Sequence, residues 1–330
     1  MAVFTPLTHA QLSVWLQDFD LGALLKLEGI ASGIENTNYF VTTDTPHHNG
    51  QFVLTIFEKL TREQLPFYLE FMRTLAQAGV NVPLPIANRQ GQILHSLCDK
   101  PCALATRLEG GFELDPNPAH CRQVGVALAR LHEVGLDYQK QRPDLMLDNP
   151  RGLNWWQQTL PLVVPHIPPA LQRLLVQEVR DQAEYATASD YAVLTRGPVH
   201  ADLFRNNVLF AGSREQPRLG GFIDFYFAGV DTWLFDVAVT VNDWCIDVPT
   251  GAIDLPRYEA LLRAYAEVRP FSTAEQRAWP MMLRAAALRF WMSRLYDFYL
   301  PRAAETLTPH DPSHFERVLR QRRLHDHPLP

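Results

Sequence analysis

The side chains best suited to chemistry lie in one short stretch, His200-Ala201-Asp202-Leu203-Phe204-Arg205-Asn206-Asn207, and in Asp224 beyond it. Asn207 stands directly before an apolar run, Val208-Leu209-Phe210; Gly212 to Arg218 is turn-like; Leu219 to Ile223 is a second run, and Asp224 ends it. An antiparallel hairpin sets the start of one strand beside the end of the other. Asn207 and Asp224 would then be neighbours, offering a carboxamide oxygen and a carboxylate. These are hard oxygen ligands of the kind magnesium takes while keeping waters and substrate phosphate oxygens in its shell. Asp202, on the same loop, could accept a proton from an alcohol. Phosphoryl transfer asks for this layout: positioning, a metal bridging the phosphates, and a base beside the attacking hydroxyl. Such a base contributes about 10² to 10⁴ in rate. Singly, each residue is commonplace, an Asp in a turn or an Asn capping a strand. The reading rests on three correctly typed residues with a hairpin-sized segment between the last two.

The elements that must hold these residues follow from periodicity. Leu25 to Ile30, Tyr39 to Thr43 and Gln51 to Phe57 read as strands, separated by a polar loop from Ala31 to Asn38 containing Gly33 and by a turn from Asp44 to Gly50. A helix follows: Thr61-x-x-Gln64 resembles a capping box, Pro66 suits a first turn, and Leu65, Leu69, Met72, Leu75 and Ala76 keep helical spacing. Gly79 marks its stop, and Pro83 and Pro85 confirm the break. Ile93 to Leu97 and Ala103 to Leu108 read as two further strands, and Glu109-Gly110-Gly111 as a connector. The remainder reads as helices near 120–134, 154–160, 168–186, 231–247, 254–268 and 273–300, interrupted by the loop, strand, turn, strand and loop of 199–228. The chain after Leu300, rich in Pro, Arg and His, reads as partly loose. The fold class is therefore α+β. A small antiparallel-sheet lobe spans 1–108 and a larger, mainly helical lobe spans 109–330.

Composition narrows the function classes. With 330 residues and 47% apolar content the chain can bury a large core, and its net charge of −6 argues against sequence-independent nucleic-acid binding. Met1-Ala-Val-Phe-Thr-Pro has no basic region leading into an apolar run, and no stretch reaches membrane-helix length, since Arg284, Arg289 and Arg294 break the most apolar region. A cytoplasmic protein with no membrane partner is expected. Cys98, Cys102, Cys121 and Cys245 make no C-x-x-C pair or zinc spacing, and read as free thiols. H-E-x-x-H, G-x-S-x-G and the P-loop pattern are all absent, which speaks against a metal hydrolase.

His200-x-Asp202-x-x-x-x-Asn207 followed by Ile223-Asp224-Phe225 resembles the catalytic and metal motifs of the aminoglycoside phosphotransferase and choline kinase superfamily. Phe235-Asp236-Val237-Ala238 is similar to that family's downstream acidic motif, and Ala127 to His132 to its helix ending in Leu-His. The likeness continues towards the bacterial homoserine kinases in Gly33-x-Glu35-Asn36-Thr37-Asn38-Tyr39-Phe40, Val53 to Lys59, Ile223 to Ala228, and Leu288 to Trp291 through Arg294 to Asp297. It runs from about residue 3 to about residue 325.

The resemblance implies a two-lobed protein-kinase-like fold using ATP as co-substrate and Mg²⁺. It makes Asp202 the catalytic base and Asn207 and Asp224 the magnesium ligands. Asp236 would brace the catalytic loop, with His200 structuring it. The loop from Gly29 to Asn38 would cover the ATP phosphates, with Gly33 permitting close backbone approach and Asn36 and Asn38 beside it. Thr106-Arg107-Leu108 would be the adenine hinge, read through the backbone of Thr106 and Leu108. The broader family carries a lysine in the strand occupied here by Gln51 to Phe57; this chain has Thr55 there, as the homoserine kinase pattern does, and Lys59 is the nearest candidate to compensate.

The implied reaction is ATP + L-homoserine to O-phospho-L-homoserine + ADP, a step in threonine synthesis. A kinase of another small alcohol (choline, an amino sugar, a related amino acid) and a nucleotide-binding pseudokinase remain as alternatives, the latter resting on the missing strand lysine. A homoserine pocket needs an anion clamp, for which Arg289 and Arg294 are candidates, and a partner for the ammonium, Asp243 or Asp297. Arg289 and Arg294 are five residues apart and share a helical face poorly, so one is expected at the pocket and the other in a structural ion pair. Trp155 and Trp156 could wall the substrate site.

Overall fold

The computed structural model describes residues 4–30, 35–300 and 310–330. The chain divides into two compact units: one runs to Gly110 and takes in Gly221–Ile223, and the other comprises Gly111–Gly220 and Asp224–Pro330.

The first unit is built on a five-stranded antiparallel sheet in the order β1-β2-β3-β5-β4, from β1 (Leu24–Ile30), β2 (Asn36–Thr43), β3 (Gln51–Phe57), β4 (His95–Leu97) and β5 (Lys100–Thr106). The alternation of β3 buries Phe52, Leu54 and Ile56 fully. The short helix α1 (His9–Trp15) packs Leu12 into the same core and starts with a capping box between Thr8 and Gln11, a signal not singled out in the sequence. β2 begins at Asn36, three residues earlier than its hydrophobic alternation suggested, because Asn36, Thr37 and Asn38 pair across to Phe57, Ile56 and Thr55. Asn36 and Asn38 are therefore strand residues, not loop residues.

Helix α2 (Leu65–Gln77) begins after the Thr61–Gln64 turn; Gln64 Oε1 accepts from the Thr61 N–H, but Gln64 is itself the cap, so the capping-box reading was offset. Gly79, at φ +81°, ends the helix segment as expected. Gly221 belongs to this unit because the Phe222 N–H donates to Asn81 O at 2.9 Å, and a Cβ at Gly221 would lie 2.3 Å from that oxygen.

The second unit holds β6 (Gly111–Phe112), α3 (Pro118–Gln141), α4 (Leu153–Val163), α5 (Pro169–Tyr185), α6 (Ser189–Ala192), β7 (Arg196–Val199), β8 (Val208–Gly212), β9 (Pro217–Phe222, its end lying in the first unit), β10 (Gly229–Thr232), α7 (Trp233–Trp244), α8 (Leu255–Val268), α9 (Thr273–Tyr299) and α10 (Ser313–Leu324). The strands form two small sheets, β6-β8-β9 and β10-β7. The expected loop, strand, turn, strand and loop over 199–228 is present. α3 and α8 pack closely at Gly125, where a Cβ would stand 2.2 Å from Leu261 O. α7 is buried along all twelve residues, which makes it the central element of this unit.

The tail is more ordered than its composition suggested. Residues 301–309 lie outside the described ones, but α10 buries Phe315, Val318 and Leu319 completely. Its three apolar contacts fall at helical spacing inside an otherwise strongly charged segment, which hid them. No helix among the described residues is long and apolar enough to cross a membrane.

Candidate active site

The loop between β7 and β8 carries Asp202, and α7 grips it at three points. Asp236 accepts the N–H groups of His200 and Ala201, both at 2.8 Å, one on each carboxylate oxygen. Asp243 Oδ2 accepts the Arg205 N–H at 2.8 Å and Arg205 Nε at 3.0 Å. Trp244 Nε1 donates to Leu203 O at 3.0 Å. Asp243 and Trp244 both lie about two helical turns beyond Asp236, so one side of α7 holds the whole loop. Ala201 takes φ +62°, a conformation a non-glycine residue holds only when its surroundings enforce it.

His200 is fully buried against the Phe225 ring at 4.6 Å, and its Nδ1 accepts the Asp202 N–H at 3.3 Å. Asp236 is fixed in turn by His132 Nε2 at 3.0 Å, whose Nδ1 meets Tyr265 OH at 2.8 Å. Burial alone would raise the Asp236 pKa, but the hydrogen bonds from His132 and His200 N–H hold it below the ordinary carboxylate value.

Asn207 donates from Nδ2 to Asp202 O at 2.8 Å and to Asp202 Oδ2 at 3.2 Å. Its amide hydrogens are thus turned to Asp202, and the carboxamide oxygen is the atom that could ligate a cation. Asp224 ends the β8–β9 hairpin in the left-handed region at φ +63°. The Asp202 carboxyl is pushed up to about 7; burial is the main cause, the charges of Asp224 and Asp243 add to it, and Arg289 opposes it. The Asp202 and Asp224 carboxylates, with the Asn207 carboxamide oxygen beside Asp202, form an oxygen donor set that suits a divalent cation. Among the described residues no cluster of three or more His, Cys, Asp or Glu side chains offers a full protein cage. Sparse oxygen ligation of this kind suits magnesium, which fills its shell with water and phosphate oxygens.

The cationic side of the site lies on α9. Arg289 is 4% exposed, its Nη1 reaches Ser293 Oγ at 3.3 Å, and its guanidinium stacks 3.9 Å from the Phe290 centroid. Burial lowers its pKa to about 10, opposed by Asp202 and Asp297 and reinforced by Arg151 and Arg294. Among the described residues no carboxylate lies within ion-pair distance of it, contrary to the usual pairing of a buried arginine. Arg294 stacks over Phe315 of α10 at 4.5 Å. Among the described residues neither arginine makes the structural ion pair foreseen for one of them. Asp297 is exposed, two turns beyond Arg289 on the same stripe. Asp243, offered by the sequence to a substrate ammonium, has Oδ2 and Oδ1 both turned to Arg205, so its carboxylate positions the loop instead.

The expected nucleotide-binding residues fall in the first unit. Thr55 and Asn38 are cross-strand partners, and Thr55 Oγ1 donates to Asn38 Oδ1 at 2.8 Å. Asn36 is buried next to them on β2. Lys59 forms an ion pair with Glu35 at 2.7 Å, both partners half-exposed. Thr106 closes β5: its N–H donates to Leu84 O at 3.0 Å and its Oγ1 accepts the Leu84 N–H at 2.9 Å. The Arg107 N–H donates to Gln51 O, and Leu108 follows in irregular chain. Gly33 lies outside the described residues. The sequence reading missed Arg205, Trp244 and the coupling of His132 to Asp236. The seven-residue spacing of Asp236 and Asp243 was the available signal.

Comparison with known proteins agrees with this geometry. The profile of the phosphotransferase enzyme family matches residues 26–271. A homoserine kinase of Burkholderia ambifaria (strain MC40-6) is 55% identical over 334 residues, covering 100% of this chain and 98% of that protein. A homoserine kinase of Janthinobacterium sp. (strain Marseille) is 55% identical over 322 residues, covering 98% and 96%. Among solved structures, an amicoumacin kinase in complex with AMP-PNP, Ca²⁺ and Ami superposes with a TM-score of 0.65 at 18% identity, covering 90% of this chain and 86% of that one, which bears out the kinase-like α+β fold. This chain belongs to the phosphotransferase enzyme family and, within it, to the homoserine kinases.

Proposed function

We infer that this protein transfers the γ-phosphoryl group of ATP to the hydroxyl of L-homoserine, giving O-phospho-L-homoserine and ADP, in threonine biosynthesis. Full-length identity of 55% to homoserine kinases carries the substrate assignment. The observation that carries the chemistry is the half-buried Asp202 carboxyl held against Asn207, with the charge of Asp224 acting on it.

In this reading Asp202 accepts the proton of the substrate hydroxyl as its oxygen bonds to the γ-phosphorus. The bond from that phosphorus to the β–γ bridging oxygen breaks, and ADP leaves with the electron pair. Asn207 Oδ1 and Asp224 would hold magnesium, which when bound would neutralise charge on the phosphate oxygens. Asp236 and His200 keep Asp202 in place without touching substrate. Residues 1–108 carry nucleotide binding, and 109–330 carry catalysis and substrate binding. The hinge N–H groups of Thr106 and Arg107 are engaged within the chain, so adenine is read by the Thr106 carbonyl and the Leu108 N–H. Asn36, Asn38, Thr55 and Lys59 line the phosphate side with the Gly33 loop. Arg289 and Asp297 serve the substrate, while Arg294 packs on Phe315 of α10. A biosynthetic kinase drawing on ATP and a free amino acid works in the cytoplasm.

A coupled ADP-release assay with ATP and magnesium against L-homoserine, L-serine, L-threonine, choline and kanamycin tests this. Selective, chelator-sensitive turnover of L-homoserine is expected. Turnover of another alcohol instead would keep the mechanism and discard the substrate. ATP binding without turnover of any of them would favour a pseudokinase.

A further inference from the structure

Two guanidinium groups share one aromatic ring at this site. Arg289 lies 5.4 Å and Arg151 5.8 Å from the centroid of Phe227, the residue three places after Asp224. Arg151 also stacks 4.5 Å from Trp155. Its loop is tied down: Arg151 N–H donates to Asn149 Oδ1 at 2.9 Å, and Asn149 Nδ2 donates to Asp231 Oδ2 at 2.8 Å. Asn149 N–H donates to Val230 O at 3.2 Å, and at Gly229 a Cβ would stand 2.7 Å from Asn149 Cα. The arm carrying Arg151 is thereby fixed to β10, the strand that follows the Asp224–Phe227 turn.

Like charges gathered in a buried place repel unless an anion joins them. Arg289 is 4% exposed, yet its Nε finds no hydrogen-bond partner among the described residues. Among the described residues no carboxylate, Asp202 included, lies within ion-pair distance of Arg289. A ligand carboxylate would satisfy the Arg289 fork and sit between the two cations.

We propose that Arg289 and Arg151 together form the carboxylate-reading clamp of the substrate site, with Phe227 as the flat spacer that sets their separation. The clamp selects an alcohol bearing a carboxylate over amino alcohols that lack one. This rests on the homoserine kinase reading and goes beyond it by naming the residues that discriminate. Arg294, turned to Phe315, is left out of the clamp.

The test compares L-homoserine with 3-aminopropan-1-ol, which keeps the hydroxyl and the ammonium but has no carboxylate. Turnover of L-homoserine by the unaltered protein is established first; its absence would sink the functional reading, not the clamp specifically. In Arg151→Met and Arg289→Met, kcat/KM for L-homoserine is expected to fall about 10²-fold further than for 3-aminopropan-1-ol, through KM for L-homoserine and not KM for ATP. Arg151→Lys should recover part of the loss, since it restores charge without the fork. L-Homoserine should raise the melting temperature of the unaltered protein and lose that effect in both Met variants. If 3-aminopropan-1-ol is not turned over at all, the loss of this melting shift decides the matter. Equal losses on both alcohols, a defect confined to KM for ATP, or a retained melting shift would overturn the clamp. Should Arg289→Met fail to fold, the half-buried Arg151 carries the same comparison.

Discussion

Asp236 and Asp243 stand two helical turns apart on α7 and hold the two ends of one loop. Asp236 takes the N–H groups of His200 and Ala201, and Asp243 takes the N–H and guanidinium of Arg205. Asp202 lies between these anchors. Its position is therefore set by a buried helix and not by the loop's own preferences, which also explains how Ala201 tolerates a left-handed backbone.

Asp236→Asn keeps one acceptor oxygen but turns an NH₂ group towards donors that need an acceptor. We expect a stability loss of about 2–4 kcal/mol and a fall in kcat larger than any rise in KM for ATP. Urea unfolding and single-turnover kinetics check both. An unaltered unfolding midpoint would mean that the loop is held elsewhere.

Asp202→Asn should lower turnover by about 10² to 10⁴ while ATP still binds. Calorimetric titration with ATP beside the coupled assay separates the two effects. Near-parental turnover would remove Asp202 from the role of base.

The raised Asp202 pKa also has a sign that can be read from stability. A carboxyl at about 7 in the folded protein and about 3.8 when unfolded keeps its proton longer in the folded state. As pH rises from 4 to 7 the unfolded chain ionises first, so in metal-free protein this group progressively lowers stability across that window. Asp202→Asn should therefore be more stable than the parent at pH 8, by about 1–2 kcal/mol, with a correspondingly higher Tm, and should lose that advantage near pH 4. Thermal melts at both pH values, with chelator present, decide it. A Tm difference independent of pH would contradict the shift.

Removing divalent cations should abolish turnover, and magnesium should restore it. Asn207→Ala and Asp224→Ala should each demand more magnesium for half-maximal rate, Asp224→Ala more so because it removes a full charge from the donor set. Activity titrated against magnesium is the measurement, and a midpoint unchanged in both variants would place the metal elsewhere.

Lys59→Ala tests whether this residue replaces the lysine absent at Thr55. The Lys59–Glu35 pair is half-exposed, so its loss should cost under about 1 kcal/mol of stability. KM for ATP should nevertheless rise about tenfold. Thr55→Val, which removes the hydrogen bond to Asn38 at a 7% exposed site, should do the reverse and cost about 1 kcal/mol. Unchanged ATP kinetics in Lys59→Ala would leave the phosphates to backbone groups alone.

The sequence alone determined what depends on near neighbours. The alternation of Gln51 to Phe57, the Gly79 stop after α2, and the hairpin leading from Asn207 towards Asp224 are all local patterns, and each is present. Motif similarity reached further, to Asp236 as the loop's brace, because that role was read from relatives' residues and not from physics. Tertiary structure decided every question of pairing and burial. Asp243 looked as available to a ligand as any acidic residue until Arg205 was seen against it. Arg289 and Arg294 were equivalent on paper, and only the packing of α9 turned one to Phe227 and the other to α10. Ser313–Leu324 lies within the chain after Leu300 that reads as partly loose, yet becomes a core helix because Phe315 finds Phe290 and Phe204 at 5.2 and 5.7 Å. A side chain's charge and size are written in the sequence. Its partner is chosen by elements far away in the chain, and that choice exists only once they have packed.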